Sequence, residues 1–299
     1  MSDKFSSAKT VGKNIIDVAV EESQLAVNEI DNPGSDVHKT IPEVRKRCKK
    51  IRGLVRLIRP VYKDIYKKEN AWYRDAARDL SYYRDAYSII ETFDKLSKNI
   101  PVGAVNNEQI KEALVQRKDQ IFSDTELIDS KLAGFRKKML RGTERAKTWP
   151  FEEKDHYDMI GKGLKFTYKR GRNAMEVAVK SGSTMDFHEW RKRVKYHWYH
   201  LCLLKPAWDE VLEAFRNQAH ELSEYLGDEH DLAVLKQILN NGSFSFLNSD
   251  SGRILNCVID RQRAELQRMS KHLGNRLYCE KPGKMNKRMA AYIEEWQKW

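Results

Sequence analysis

Apolar residues recur at helical spacing along nearly the whole chain. Val11, Ile15, Val18, Leu25 and Ile30 fall on one side of a predicted helix over residues 8–31. Asp31-Asn-Pro-Gly-Ser ends it, because the residue before proline is pushed out of the helical region and glycine favours a turn. A second helix is predicted over 40–59. Thr40 and Glu43 make a T-x-x-E capping box at its start, and Pro42 lies in the first turn, where a missing N–H costs little. A long helix follows from about Tyr62 to Ser97, with Tyr66, Tyr73, Leu80, Tyr87 and Ile90 on apolar spacings. Ile100-Pro-Val-Gly-Ala breaks it, and residues 107–122 and 124–147 give two more helices.

Thr148-Trp-Pro is the predicted boundary before a similar second series. A basic helix over 152–180 is closed by Ser181-Gly-Ser. The helix over 186–204 opens on a second capping box, Asp186 with Glu189. It carries Trp190, Val194, His197, Leu201 and Leu204 on its core side. Pro206 opens a helix running towards Leu226, where Gly227 permits a kink before 228–239. Asn240-Asn-Gly-Ser is a loop, and 250–272 and 284–298 are the final helices. Alternating β-branched runs bounded by turns do not occur, so the predicted fold class is all-α.

The two series match residue by residue. A shift of 146 positions carries Glu43, Arg45, Lys46, Arg47 and Lys49 onto Glu189, Arg191, Lys192, Arg193 and Lys195. The same shift carries Leu80-Ser-Tyr-Tyr-Arg-Asp85 onto Leu226-Gly-Asp-Glu-His-Asp231. Two separated matches at one offset indicate a duplication, with halves 8–147 and 152–299 inside one domain spanning 1–299.

Charge sharpens this picture. The net charge of +12 and pI near 9.3 point to anionic partners such as nucleic acid, polyphosphate or a membrane surface. At about 100° per residue, Val44, Cys48, Ile51, Val55 and Ile58 line one side of helix 40–59. Arg45, Lys49, Arg52, Arg56 and Arg59 form a stripe beside them. Residues 45–59 hold eight Lys or Arg and no carboxylate, so the stripe calls for an external anion or for acids from another helix. Asp75, Asp79 and Asp85 of the following helix are the candidates for the second role. In helix 186–204 the equivalent side carries His188, Arg191, Lys195 and Trp198, while Lys46 and Lys192 are expected to point outward.

Other chemistry finds little support. Cys48, Cys202, Cys257 and Cys279 lack C-x-x-C spacing and suit a reducing compartment. The N-terminus has no signal-peptide pattern, and no run approaches the roughly 18 apolar residues of a membrane span, which gives a cytoplasmic expectation without membrane partners. The eight histidines include His197 and His200 at i, i+3, but there is no H-E-x-x-H, no G-x-S-x-G, no phosphate-cradling glycine loop and no clustered aspartates. No enzyme, metal or cofactor is expected; a metal-dependent phosphohydrolase is the third alternative. Trp190 and most tyrosines sit at core spacings, so RNA or other nucleic acid is the runner-up ligand.

These motifs resemble the CHAD family, α-helical domains named for their histidines. The first half shows Arg45-Lys-x-x-Lys-x-x-Arg52 with Arg84-Asp85 after it. The second shows Phe187-His-x-x-Arg-Lys-x-x-Lys195, with Tyr168-Lys-Arg-Gly-Arg172 before it and Leu226-Gly-Asp-Glu-His-Asp231 after. The resemblance implies two pseudo-symmetric four-helix-bundle-like halves around a central basic groove or pore. It also implies binding of inorganic polyphosphate, and a location in the cytoplasm with polyphosphate granules. Many members stand beside a tripolyphosphate-processing domain; no such acidic, strand-rich segment is present, so a stand-alone binding module is implied. The implied ligand-binding residues are Arg45, Lys49, Arg52, Arg56, Arg84, Arg172, His188, Arg191, Lys195 and His230. Asp85 and Asp231 are read either as orienting an Arg or His or as tying two helices together. The first-half histidine of the motif falls on Pro42, and His38 one turn upstream is its possible substitute.

Overall fold

The computed structural model describes residues 4–33, 37–151, 157–241, 244, 247 and 249–298, without the side chains of Val37, His38, Arg84 and Ser249. The expectations placed on Arg84 and His38 therefore lie outside the described residues. Within them the chain is all-helical and contains no strand. In chain order the helices are α1 (Val11–Asp31), α2 (Val37–Leu57), α3 (Lys63–Arg78), α4 (Ser81–Ser97), α5 (Asn107–Ile121) and α6 (Thr125–Lys147). Then come α7 (Asp158–Ser181), α8 (Thr184–Leu204), α9 (Asp209–Leu239), α10 (Ser249–Leu277) and α11 (Pro282–Trp296), with a 3₁₀ turn over Lys205–Ala207.

Local chemistry explains where the helices depart from the predicted limits. Helix α2 starts at Val37, so Thr40 is an interior residue and not a cap; burial of Thr40 and Ile41 holds the extra turn against the core. The cap of α8 is Ser183, whose hydroxyl accepts from the Asp186 N–H. The Asp186 carboxylate instead accepts from the hydroxyls of Ser181 and Ser183. Gly182, at φ 64°, makes the left-handed stop between α7 and α8.

The predicted helix 62–97 is two helices. The guanidinium of Arg45 donates to the Ala77 carbonyl and the Ser81 hydroxyl to the Arg78 carbonyl. Those two carbonyls would otherwise accept from the next helical turn, so the chain breaks at Asp79–Leu80 and buries Leu80 completely. The kink permitted at Gly227 does not occur, since α9 runs unbroken through it. A Cβ at 227 would lie 3.2 Å from Nη2 of Arg191, so this glycine makes room for a side chain.

Three apolar clusters hold the helices together. One joins α1, the C-terminal half of α2, α7, α8, α9, α10 and α11 around fully buried Trp190, Ile15 and Ile58. A second joins α1, α2, α3 and α6 around Tyr73, Ile51 and Met139. The third joins α4 and α5 to α9 and α10 around Phe93 and Leu235. Two of these clusters therefore unite residues from before and after Thr148-Trp-Pro. The predicted apolar faces, Val44-Cys48-Ile51-Val55-Ile58 and Trp190-Val194-His197-Leu201-Leu204, are all buried.

Helices α2, α7 and α8 meet through glycines. Gly53 of α2 packs against Tyr199 of α8, where a Cβ would come within 3.1 Å of the ring. The Gly53 carbonyl accepts from Nε2 of His200 at 2.9 Å, which fixes the proton on Nε2. Gly163 of α7 lies so close to α2 that a Cβ there would be 1.9 Å from the Leu57 carbonyl oxygen. Gly53 and Tyr199 are themselves 146 positions apart.

Candidate functional site

The glycine contacts converge the C-terminal half of α2 with α7 and α8, and cations collect there. Arg56, Arg59, Phe166, Thr167, Arg170, Arg193 and Tyr196 line one small cleft. Arg52 and Lys192 adjoin it, because their charges and those of Arg56 and Arg170 act on one another. Among the described residues, one carboxylate lies within ion-pair distance of these six cations. Glu189 sits 2.5 Å from Lys192 and 4.0 Å from Arg170, and also pairs with Arg193.

Aromatic rings hold the guanidiniums in place. Arg56 lies 3.8 Å from the Tyr196 ring centroid, and its Nη1 donates to the Arg52 carbonyl. Arg59 lies 4.9 Å from the Tyr66 ring and 4.7 Å from Phe166. Arg52 donates from Nε to Asn70 Oδ1 at 3.2 Å. These contacts hold the arginines in position, so less side-chain entropy remains to be lost when an anion arrives.

The titration behaviour reports crowding of like charge. Burial, then the charges of Arg170 and Arg56, hold the Arg193 guanidinium down to about 10. Burial and the Arg59 charge lower Arg170. Burial lowers Lys192, Tyr196 partly offsets it, and Arg52, Arg170 and Arg56 lower it further. Arg170, Lys192 and Arg193 are therefore held against an unfavourable field that an incoming polyanion would relieve.

A second set lies along α8 and α9. His188 and His230 stack with ring centroids 4.2 Å apart, and Arg191 faces Asp231 at 3.8 Å. Burial, then Lys192 and Arg191, push His188 down to about 4, with a smaller contribution from Lys49. His188 is therefore neutral near pH 6, unlike a histidine with an ordinary value near ~6.5. Lys195 lies 5.6 Å over the Trp198 ring. Asp231 bridges α9 to α8 through Arg191, which is the helix-tying reading of that aspartate.

The structure thus gathers Arg52 and Arg56 in the first cluster, and Lys49, His188, Arg191 and His230 beside it. Two further predicted residues have other described contacts. Arg45 caps the end of α3. Arg172 pairs with Glu176 at 3.4 Å and neighbours Tyr168, whose hydroxyl donates to the carbonyls of Leu277 and Glu280; it is 200° around α7 from Arg170. Lys192, expected to point outward, belongs to the cluster.

Two of the acids proposed for the stripe have ion pairs with other cations, although the Arg52 charge still acts on Asp75. Asp75 pairs with Arg74 at 2.7 Å and Asp79 with Lys138 at 2.6 Å. The cations of α2 outside the stripe are neutralised from α1, where buried Glu22 takes Lys50 and Arg47, and Glu29 takes Arg47.

Sequence reasoning missed Arg170, Lys192 and Arg193. A signal for Arg193 was present: the 146-residue shift carries Glu22 and Glu29 onto Tyr168 and Met175, so the acids that neutralise Arg47 are missing for its equivalent. Among the described residues no three His, Cys, Asp or Glu side chains converge as metal ligands, and no helix is long and apolar enough to cross a membrane. A search of the curated proteins returns no match. The family model of the CHAD domain matches residues 23–240, from the middle of α1 to the end of α9, and the chain belongs to the CHAD domain family.

Proposed function

We propose that the protein binds inorganic polyphosphate, without turning it over, at the junction of α2, α7 and α8. The observation that carries the reading is six cations with, among the described residues, one carboxylate within ion-pair distance. Polyphosphate presents about one negative charge per phosphate and no bases, so its complement is a row of fixed positive forks, which arginine supplies. Membership in the CHAD family implies the same ligand. Tyr196, Tyr66 and Phe166, the rings that a base would stack on, are already covered by Arg56 and Arg59, which favours polyphosphate over RNA.

We further propose that the halves 8–147 and 152–299 are related about the Gly53–Tyr199 contact, with a basic groove running beside it past Lys49, His188, Arg191, Lys195 and His230. A residue touching its own equivalent is what an approximate two-fold axis requires. A cytoplasmic location fits the reduced cysteines.

The test is titration with polyphosphate, duplex DNA and single-stranded RNA at matched salt. Polyphosphate should bind most tightly, with affinity falling steeply as salt rises. Reversing Arg59 and Arg170 to Glu should abolish binding with helical content intact. Equal or tighter binding of RNA would overturn the ligand assignment, and phosphate release in proportion to protein would overturn the absence of turnover.

A further inference from the structure

We propose a second ligand site, for a mononucleotide-sized aromatic phosphate, on the other side of the α2–α8 crossing. Arg56 and Tyr196 each stand three residues from the Gly53–Tyr199 contact on the cation-cluster side. Lys50 and Cys202 stand three residues from it in the opposite sense, and both line a pocket of about 380 Å³. The 146-residue shift relates the two places: Arg52, Arg56, Lys192 and Tyr196 fall on Trp198, Cys202, Lys46 and Lys50, and all four equivalents line this pocket. The same location in the fold has exchanged two arginines for an indole and a thiol.

The walls define the ligand. Lys46, Lys50 and Arg216 contribute three positive charges against the one negative charge of Glu22, a lining charge of +2, with Glu43 paired to Lys46 and Glu213 to Arg216 beyond the lining. A nucleoside monophosphate carries close to −2 at neutral pH, its second ionisation lying near ~6. Two wall groups lack a hydrogen-bond partner among the described residues, and both can donate. One is the hydroxyl of Tyr199, a residue only 4% exposed; the other is Nε of Arg216. Burial raises the Tyr199 hydroxyl, which keeps it protonated as a donor. An unsatisfied buried donor is costly to leave unpaired, and an oxygen-rich ligand that shifted the wall enough to reach them would satisfy both. Trp198, half-buried, is edge-on to His220 at 4.6 Å and tilted against Tyr199 at 4.9 Å, with Lys195 5.6 Å over its ring, so a heteroaromatic ring would stack on the indole by displacing Lys195. The volume lies at the small end of ligand pockets and suits one nucleotide, not a polymer.

Lys46 is held only by a solvent-exposed pair with Glu43 at 3.2 Å, so it can turn to a phosphate at little cost. The test is calorimetric titration of the full chain with adenosine monophosphate, adenosine and inorganic phosphate. Adenosine monophosphate should bind one to one, and more tightly than either fragment. Tyr199→Phe removes the orphan hydroxyl without changing the packing, and should weaken adenosine monophosphate about fivefold. Lys46→Glu should weaken it about tenfold. A purely structural tyrosine would leave the affinity of Tyr199→Phe unchanged. Arg59→Glu should leave nucleotide binding intact while weakening polyphosphate, which separates this site from the cation cluster. No binding at millimolar nucleotide, inorganic phosphate binding as well as the nucleotide, or loss of nucleotide binding in Arg59→Glu would each overturn the proposal.

Discussion

Replacing Glu189 with Gln should tighten polyphosphate binding. Glu189 is the carboxylate among six cations, and it occupies Lys192, Arg193 and, at 4.0 Å, Arg170. A phosphate seated among the guanidiniums would stand roughly 8 Å from it. At an effective dielectric of about 40–80, one such repulsion is worth about 0.5–1 kcal/mol, roughly two- to sixfold in Kd. Glu189 is 37% exposed, so solvent screening favours the lower end. Gln keeps the size and loses the charge, which also frees Lys192, Arg193 and Arg170 to contact ligand. The slope of log affinity against log salt should therefore steepen by up to about one.

The assay is anisotropy with a polyphosphate of defined length across a salt series, with Glu43→Gln as control. Glu43 is the equivalent of Glu189 in the first half, and it pairs with exposed Lys46. The advantage of Glu189→Gln should shrink as salt rises and the Debye length falls to about 3 Å near 1 M. If Glu189→Gln bound more weakly than wild type, the carboxylate would be positioning the arginines and not competing with the ligand. If Glu43→Gln tightened binding equally, net charge alone would be responsible.

Other perturbations follow from the packing and the buried histidines. Gly163→Ala should cost upwards of about 2 kcal/mol, because its Cβ meets the backbone oxygen of Leu57, and should weaken polyphosphate by parting Arg59 from Arg170; denaturant melts and titration check both. Gly134→Ala, in α6 with nothing within 4 Å of the new Cβ, should stabilise by about 0.5–1 kcal/mol in the same melts. His188, His197 and His200 are pushed down to about 4, 4 and 3, chiefly by burial, so the unfolded chain takes up their protons first. Their contribution is present above the unfolded value near ~6.5 and is lost as pH falls towards 4, so melting temperature should drop across that window. His200→Gln, which keeps a donor for the Gly53 carbonyl, should flatten the drop; an unchanged profile would refute the assignment.

The existence of most helices was legible because one apolar stripe per helix meets one core. Their ends were less so. The break at Asp79–Leu80 depends on Arg45, 32 positions away, taking the Ala77 carbonyl, and no local pattern encodes a contact at that distance. The Ser183 cap lay three residues ahead of Asp186, inside Ser181-Gly-Ser, a segment whose turn signal was recognised but whose hydroxyl was not assigned.

The candidate site was half legible, for a reason that the repeat itself supplies. Counting residues around α2 places its arginines relative to its own apolar face, but does not say which helix faces them. For that, the partner must be known, and the duplication contains the information. Where Arg47 meets Glu22 and Glu29 on α1, the 146-residue shift puts Tyr168 and Met175 of α7 at the equivalent positions for Arg193. Those two residues are apolar-packed members of the core, so they offer Arg193 no charge. A buried cation without a nearby acid must find one elsewhere or remain poised for a ligand. Arg193 does both, pairing with Glu189 while crowding Arg170 and Arg56. The divergence of the two halves, more than their likeness, thus marks where the anion should bind: one copy has internal acids against its basic helix, and the other has replaced them with core.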